Sequence, residues 1–509
     1  MIRNLWVCHI IRAFTCVTIL ALLSGCDLAP NYQAPTFILP KAYRGTGPFE
    51  VAQPQDELPR GAWWRMFKDP VLDQLEAQLD AHNPTLQAAE ETYTQARDVA
   101  GEARAGLYPQ LTTNADLSEN KQSEYRLFRS NRNTPNEETS NEINATAVWE
   151  PDFWSRIRNQ TKFAKEQAQA VAAEVASARL SLEAGLASDY ITLRGLDSEH
   201  AVYAQTIGFY RTAVTITQQR LAGKIASGLD VARAKNQFSS AEALDTEVLA
   251  QRAVVQHAIA VLAGINPISL DLPMIANAGM RIPEIPRQLP SELLQRRPDI
   301  AQQERTMAAA NAAIGVSRAA FYPDIRLSAI SGFQDAGFNL ASLPNSLWAV
   351  GAQAMLPLFE GGLRKAILQR SWSVFAQTGD NYRATVLYAF EQVEDGLVLT
   401  ERLKTEAAQQ QAALQAAVSA QSMSLTLYTG GLANYLDVAV SQIAALTAEI
   451  AEVQVETRRL QASVALIRAL GGGWSTADLP TPDETLPFDP LIWHDQRGNV
   501  HEPRPRPQG

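Results

Sequence analysis

The sequence predicts a mainly α-helical chain with a membrane β-barrel, in which one structural repeat is written twice. Three observations lead to this fold class. A segment of the first half of the chain recurs 214 positions later. Two tracts of more than 110 residues contain no proline. Four short stretches, placed alike in the two halves, alternate apolar with polar residues as half-buried strands do.

The duplication covers residues 83–111 and 297–325. The matched pairs include Pro84 with Pro298, Glu90 with Glu304, Gly101 with Gly315, Arg104 with Arg318 and Tyr108 with Tyr322. A second block repeats at an offset of 207, where Leu229-Asp230-Val231 returns as Leu436-Asp437-Val438. A duplicated unit buries its apolar face against its own copy, so the sequence predicts a pseudo-symmetric architecture.

The amino terminus reads as a secretory signal, predicted over residues 1–25. Arg3 and Arg12 precede an apolar run over residues 13–23, and all three cysteines lie within the first 26 residues. The segment Leu23-Ser24-Gly25-Cys26 resembles the lipobox of bacterial lipoproteins, which implies that Cys26 becomes the lipidated first residue of the mature chain. The alternative is an ordinary cleaved signal that contains a cysteine.

Composition excludes several classes of protein. The chain has 46% hydrophobic and 19% charged residues and a formal net charge of -10, which argues against nucleic acid as a partner. The six histidines show no metal-ligand spacing, and no nucleophile motif occurs, so neither a cofactor nor enzymatic activity is expected. Beyond residue 25 there is no run of 18 apolar residues. Any membrane crossing is therefore expected to use closed β-structure.

The proline-free tracts predict very long helices, because proline removes a helix hydrogen bond and clashes with the preceding turn. Each tract divides at a glycine-containing turn, at 223–228 and at 430–434. We expect long helices over 153–222 and 362–428, and shorter ones over 229–264 and 436–471. Another helix precedes each half, over 70–106 and 298–320. At 1.5 Å per residue a helix of about 70 residues spans roughly 100 Å.

Between these helices the apolar period falls from 3.6 to 2. The alternation predicts two hairpins, at about 108–151 and 322–357, with strands of roughly ten residues, about the length that crosses a bilayer when tilted. Four strands cannot close a barrel, since about eight is the practical minimum. Three chains would supply twelve strands, with the helices continuing as a cylinder below.

The chain thus divides into segments with different roles. These are a lipidated extended arm (26–68), a first repeat (69–266), a linker (267–297), a second repeat (298–473) and a proline-rich tail (474–509).

Six motifs, in order, resemble the TolC-like outer-membrane efflux factor family, in the lipoprotein branch called NodT-type or OprM-like. They are Trp63-Trp64 with Phe67 and Asp69-Pro70, Trp149-Glu150-Pro151-Asp152, Arg296-Arg297-Pro298-Asp299-Ile300, Phe321-Tyr322-Pro323, Leu358-Phe359-Glu360-Gly361-Gly362, and Leu470-Gly471-Gly472-Gly473-Trp474.

The resemblance implies a homotrimer with a 12-stranded β-barrel in the outer membrane, an α-helical barrel in the periplasm and a mixed equatorial domain built from the arm and tail. It also implies the function of a passive exit duct for small molecules. Its partners would be outer-membrane lipid, a periplasmic adaptor and an inner-membrane transporter of the resistance-nodulation-division (RND) type.

The same resemblance marks candidate site residues. Asp437 is a candidate for a charged ring that narrows the periplasmic mouth; Val440 stands where a second aspartate is usual. The alternative for Asp437 is a solvated turn residue or helix cap. Its repeat mate Asp230 is expected to be structural. The turn residues expected to contact the adaptor are Gly223, Gly228, Gly430, Gly431 and Asn434.

Other interpretations stay open at this point. A duct for protein export in type I secretion shares the fold. A periplasmic adaptor or a coiled-coil scaffold would also be a helical lipoprotein, but would leave the four alternating strands unexplained. Asp27, directly after Cys26, is a residue that in enteric bacteria tends to retain lipoproteins in the inner membrane, which raises a question about sorting.

Overall fold

A computed structural model describes residues 26–36, 61–121, 123, 137–276, 279–283, 285, 290–340 and 342–486. The predicted signal peptide, part of the extended arm (37–60) and the end of the tail (487–509) lie outside the described residues. Within the described part, helices dominate and strands form a single sheet.

Four helices build two long antiparallel hairpins. Helices α3 (Arg156–Ala222) and α7 (Leu363–Thr429) have 67 residues each, and α4 (Gly228–Leu262) and α8 (Tyr435–Ala469) have 35 each. Both pairs are related by the offset of 207 seen in the sequence. The predicted long and short helices are therefore confirmed, with ends that differ by at most three residues.

Shorter helices extend each hairpin. They are α1 (Pro70–His82), α2 (Pro84–Ala105), α5 (Pro290–Arg296) and α6 (Pro298–Ala319). The single helix predicted over 70–106 is wrong, because the chain breaks at Asn83. Its backbone is extended, and its side chain accepts a hydrogen bond from the Leu86 amide, which caps α2. Proline at the next position lacks the amide needed to continue α1.

The junction between stacked helices is built alike in both repeats. Asn83 Nδ2 donates to the carbonyl of Leu262 at the end of α4, at 2.7 Å. Arg297, its mate at an offset of 214, donates through a guanidinium nitrogen to the carbonyl of Ala469 at the end of α8, at 2.9 Å. Each contact satisfies a carbonyl that the helix end leaves open. The short helices α2 and α4, and likewise α6 and α8, are thus joined end to end beside a long helix.

Glycine is required just beyond these helix ends. Gly264 and Gly471, mates at an offset of 207, have φ of +71° and +97°. A Cβ at Gly264 would lie 2.5 Å from the carbonyl oxygen of His82, and one at Gly471 would lie 2.1 Å from that of Arg296. No side chain fits at either position.

The four strands are β1 (Gln110–Lys121), β2 (Glu137–Trp149), β3 (Asp324–Asp335) and β4 (Ser346–Met355). They form one antiparallel sheet in the order β1-β2-β3-β4, which confirms the predicted hairpins. Within the described residues, β1 and β4 each pair along one edge only. A four-stranded sheet of this kind is open at both edges.

One described helix, α8, is long and apolar enough to cross a membrane by length and composition alone. It packs against α7, and its Val438, Val455 and Ile467 are fully buried. We therefore assign these buried side chains to helix packing; 28% of the most apolar segment of α8 is buried.

The largest core cluster lies where α1, α3 and the segment Trp63–Phe67 meet. Trp63 is fully buried, and its Nε1 donates to Glu183 Oε2 at 2.9 Å. Glu76 on α1 is also fully buried, and neither of its carboxyl oxygens has a protein partner in the described residues. Burial, reinforced by the charge of Glu183, raises the pKa of Glu76 to about 10. Burial raises the pKa of Glu183 to about 7, against the opposing hydrogen bond from Trp63.

These raised pKa values predict that stability falls as pH rises. The folded state holds the proton more tightly than the unfolded state. The stabilisation from each protonated carboxyl is therefore complete below its unfolded pKa of 4.5, and it is lost as the pH rises through its folded pKa. We expect the thermal midpoint of the purified protein to fall between pH 4.5 and 7, partly through Glu183. Glu183→Gln should flatten that part of the profile, whereas an unchanged slope would contradict the assignment.

A second buried cluster ties the linker to the helices. Asp197 on α3 is completely buried and pairs with Arg194 at 2.8 Å and with Arg252 of α4 at 2.6 Å. The two guanidinium groups also donate to the linker carbonyls of Pro273 and Leu272. One carboxylate therefore holds together α3, α4 and the linker.

The described part of the arm lies along both repeats. Ser155 Oγ donates to the carbonyl of Cys26 at 3.1 Å, and Asn159 Nδ2 donates to Asp27 at 2.9 Å. From the second repeat, Arg318 donates to the carbonyl of Leu28, and Tyr32 donates its hydroxyl proton to Glu304 at 2.6 Å. These contacts fix residues 26–32 against α3 and α6.

The described part of the tail also packs on the helices. The carbonyl of Pro480 accepts a hydrogen bond from Gln169 of α3 at 2.7 Å. A short 3-10 helix, Thr476–Asp478, begins at Ser475, whose side chain caps it. The arm and the tail thus both pack along the first turns of α3, the arm at Ser155 and Asn159 and the tail at Gln169.

Candidate functional site

The candidate site lies at the two closed ends of the long hairpins, the turns 223–227 and 430–434. Both turns have the same hydrogen-bond pattern. The amide of Ile225 donates to the carbonyl of Arg220, and the amide of Leu432 donates to that of Leu427, each at 2.8 Å. In each case the preceding residue is in the left-handed region, so both long helices end in a Schellman motif.

The two turns differ at the residue that takes the left-handed conformation. In the second repeat it is Gly431, with φ +75°, and no atom lies within 4 Å of an added Cβ. In the first repeat it is Lys224, with φ +61°. A side chain in this conformation costs roughly 1–2 kcal/mol relative to glycine. The first turn therefore carries strain that the second avoids.

Polar side chains cap the shorter helices after the turns. Ser227 and Asp230 form a capping box in which Asp230 accepts hydrogen bonds from the amide and the hydroxyl of Ser227. In the second repeat, Asn434 accepts from the amide of Asp437 at 3.2 Å. The carboxylate of Asp437 is exposed and has no protein hydrogen bond within the described residues. Asp230 is thus structural, as expected, whereas the charge of Asp437 is free.

The two hairpin ends are bound to each other. Arg220 donates to the carbonyl of Tyr428 at 2.8 Å, and its guanidinium lies 4.6 Å from the centre of the Tyr428 ring. Tyr428 in turn packs edge to face on Tyr435, whose hydroxyl donates to Gln237 of α4 at 3.0 Å. Burial raises the pKa of Tyr435 to about 12, so this hydroxyl keeps its proton. Aromatic packing and a cation thus join the end of α3 to the α7–α8 turn.

Large apolar side chains surround the turns on the solvent side. Ile225 is 70% exposed and Leu432 is 81% exposed. Leu229 and Leu436, repeat mates on the first turns of α4 and α8, are also exposed. Several large exposed apolar side chains at one end of a molecule favour a surface that meets another protein. We call Leu221, Ile225, Leu229, Leu432 and Leu436 the tip patch.

The structure places the predicted turn residues as follows. Gly223, Gly430, Gly431 and Asn434 lie in the turns or at their boundaries. Gly228 is the first residue of α4 rather than part of the turn, because Ser227 already caps that helix. Cys26 is exposed and lies far along α3 from the turns, next to Ser155 at the other end of the helix.

A model of the outer membrane efflux protein family matches residues 75–265 and 289–472. The chain belongs to the outer membrane efflux protein family.

The relatives of this efflux protein agree with the family match. This chain is 31% identical to the pyoverdine export outer membrane protein OpmQ of Pseudomonas aeruginosa, over 81% of this chain and 88% of the relative. It is 29% identical to the antibiotic efflux pump outer membrane protein ArpC of Pseudomonas putida, over 89% and 94%. The MtrE outer membrane channel of Neisseria gonorrhoeae superposes with a TM-score of 0.77 at 25% identity, over 89% of this chain and 99% of that channel.

These likenesses confirm the predicted fold of the chain, which is mainly α-helical with two repeats and a four-stranded sheet, as in the outer-membrane channel OprN. They also confirm the predicted location in the outer membrane and the predicted role in efflux. The relatives are channel proteins.

Sequence reasoning did not find three residues of this site in the efflux protein. Arg220 and Tyr428 form the contact between hairpins, but their repeat mates are Leu427 and Leu221, so the duplication gave no signal. Lys224 could have been found, because aligning the turns at the offset of 207 places it opposite Gly431.

Proposed function

We propose that this chain forms the exit duct of a tripartite efflux pump, as a homotrimer anchored in the outer membrane. A periplasmic adaptor joins the duct to an inner-membrane transporter of the RND type. The open four-stranded sheet carries the proposal, because each chain leaves two strand edges that neighbouring copies can pair. The helices, about 100 Å long, extend the duct away from the membrane.

The duct passes small molecules without a chemical step of its own. The relatives are named for antibiotic and pyoverdine export, which supports small-molecule cargo over protein export. Within the described residues no group of histidine, cysteine or acidic side chains could hold a metal ion. Transport energy then comes from the inner-membrane transporter.

The division of the chain follows the same assignment. Residues 26–68 form the arm, 69–266 and 298–473 the two repeats, 267–297 the linker and 474–509 the tail. Cys26 is the lipidated residue. Its exposure and its contact with Ser155 at the start of α3, near the sheet, support an anchor at the membrane end. Asp27 has a structural partner in Asn159, which gives this residue a role besides sorting.

The test of the function is the conductance of the purified, lipidated protein in a planar bilayer, with the oligomer mass measured on the same sample. A trimer that gives discrete steps supports the duct. A monomer without conductance would contradict the duct and favour the scaffold or adaptor interpretation.

Asp437 is the gate residue of this proposal. Three exposed carboxylates, one from each chain, meet at the periplasmic mouth and attract cations. We expect Asp437→Asn to reduce cation selectivity in planar bilayers while leaving thermal stability nearly unchanged, since the Asn434 cap binds only the Asp437 amide.

The matched control is Asp230→Asn, which removes the same charge from the repeat mate. It weakens a capping box and should lower stability by about 1 kcal/mol without changing selectivity. Equal selectivity in wild type and Asp437→Asn would rule out the gate.

A further inference from the structure

The two hairpin ends of each chain carry opposite charge. Residues 220–235 contain Arg220, Lys224, Arg233 and Lys235 against the single acid Asp230, a net charge of +3. Their repeat mates, residues 427–442, contain Asp437 and no cation, a net charge of -1. The whole chain has a net charge of -10, so the first turn is a local reversal.

Lys224 is the cation at the apex of this positive end. Arg220 is already engaged with the Tyr428 carbonyl and ring. Lys224 is exposed, and within the described residues it has no acidic partner. It also stands between two members of the tip patch, Leu221 and Ile225. A single unpaired cation inside an exposed apolar surface is an arrangement that a partner of complementary charge can recognise.

The backbone holds this lysine in a conformation that costs local stability. Lys224 takes a left-handed conformation, with φ +61°, at the position where the second repeat has Gly431. The two turns share the three hydrogen bonds that close the helix end, so glycine would serve this backbone equally well. A strained residue at a position where glycine would be free of strain points to a role in function.

We propose that Lys224 is a docking residue that binds a carboxylate at the tip of the adaptor's helical hairpin, while the Gly431 turn meets the adaptor through apolar side chains alone. This inference rests on the proposed function, because it takes the adaptor as the partner at the hairpin ends. In a trimer, three positive and three weakly negative ends would then alternate around the mouth. The adaptor's acidic tips would select the positive ends.

The informative variant is Lys224→Gly, which copies the second repeat. Removing the strain should raise the thermal midpoint of the purified protein, while loss of the charge should weaken adaptor docking. A surface charge pair of this kind corresponds to a change in affinity of up to about fivefold. A merely structural lysine would not shift stability and docking in opposite directions.

Docking is measured in cells with the photo-crosslinker benzoylphenylalanine placed at Ile225 or, separately, at Leu432. We expect an adaptor crosslink at both positions. In Lys224→Gly and Lys224→Glu backgrounds the crosslink at 225 should fall while that at 432 falls less. Changing the crosslinked acidic residue of the adaptor to lysine should restore the 225 crosslink in the Lys224→Glu background.

Lys404→Glu is the matched control, because Lys404 is exposed midway along α7 and the substitution changes the charge equally. It should leave both crosslinks unchanged. A 225 crosslink that survives Lys224→Glu, or a contacting adaptor segment without an acidic residue, would overturn the role of Lys224 alone. Absence of any adaptor crosslink at both positions would overturn the proposed adaptor docking itself.

Discussion

Asp197→Ala is expected to destabilise the protein by about 3–5 kcal/mol, because it leaves two buried guanidinium groups without their shared carboxylate. The side chain of Asp197 is completely buried, and those of Arg194 and Arg252 are 2% and 9% exposed. An unpaired buried charge costs far more than the pair contributes. Thermal or urea unfolding of the detergent-solubilised protein, followed by far-UV circular dichroism, measures the loss.

A matched substitution separates burial from charge. Lys404 is the repeat mate of Asp197 and is exposed on α7. Lys404→Ala should change stability by less than about 0.5 kcal/mol, as is usual for surface positions. If Asp197→Ala proved as mild as Lys404→Ala, the buried network would not be holding the linker to α3 and α4.

Gly471→Ala is the second substitution with a large expected effect. The new Cβ would lie 2.1 Å from the backbone oxygen of Arg296, in a residue whose φ of +97° already disfavours a side chain. Backbone cannot move aside as a flexible side chain can. We expect a loss of about 3–5 kcal/mol, combining the strain with the shift of α5 away from the end of α8.

Substitutions at two further glycines separate the cost of the close approach from the cost of the positive φ. In Gly264→Ala the new Cβ would lie 2.5 Å from the carbonyl oxygen of His82, so the loss of stability should be nearly as large. Gly431→Ala has a similar φ of +75° but open space around the new methyl group, so it should lose only about 1 kcal/mol. Equal losses for Gly471→Ala and Gly431→Ala would show that φ alone, and not the close approach, sets the requirement for glycine.

Much of the fold could be predicted because its signals are local. Proline-free tracts and glycine-containing turns gave the long hairpins to within a few residues. Alternation gave the four strands. The break at Asn83 also has a local signal, since asparagine before proline is typical of a helix start, but the prediction of one helix over 70–106 overlooked it.

The contacts between distant segments could not be predicted in the same way. Asp197, Arg252 and the linker are far apart in sequence, and their pairing depends on which helix faces are buried. The duplication does not help, because the mates of Arg194 and Asp197 are Glu401 and Lys404. At the candidate site, the positions of the two turns could be predicted from sequence, and the gate role of Asp437 stays a prediction. The Arg220 contact with Tyr428 depends on the packing of one hairpin on the other.

The short path between Cys26 and the helix start has a consequence for how the duct sits in its bilayer. The Cys26 carbonyl is held by Ser155, one residue before α3 begins, and Trp154 beside it stacks on Tyr322 at 4.6 Å. Acyl chains on Cys26 would therefore enter the bilayer with almost no slack. The proposed anchor would then set the height of the whole duct relative to the lipid headgroups, and hence the reach of its far end across the periplasm.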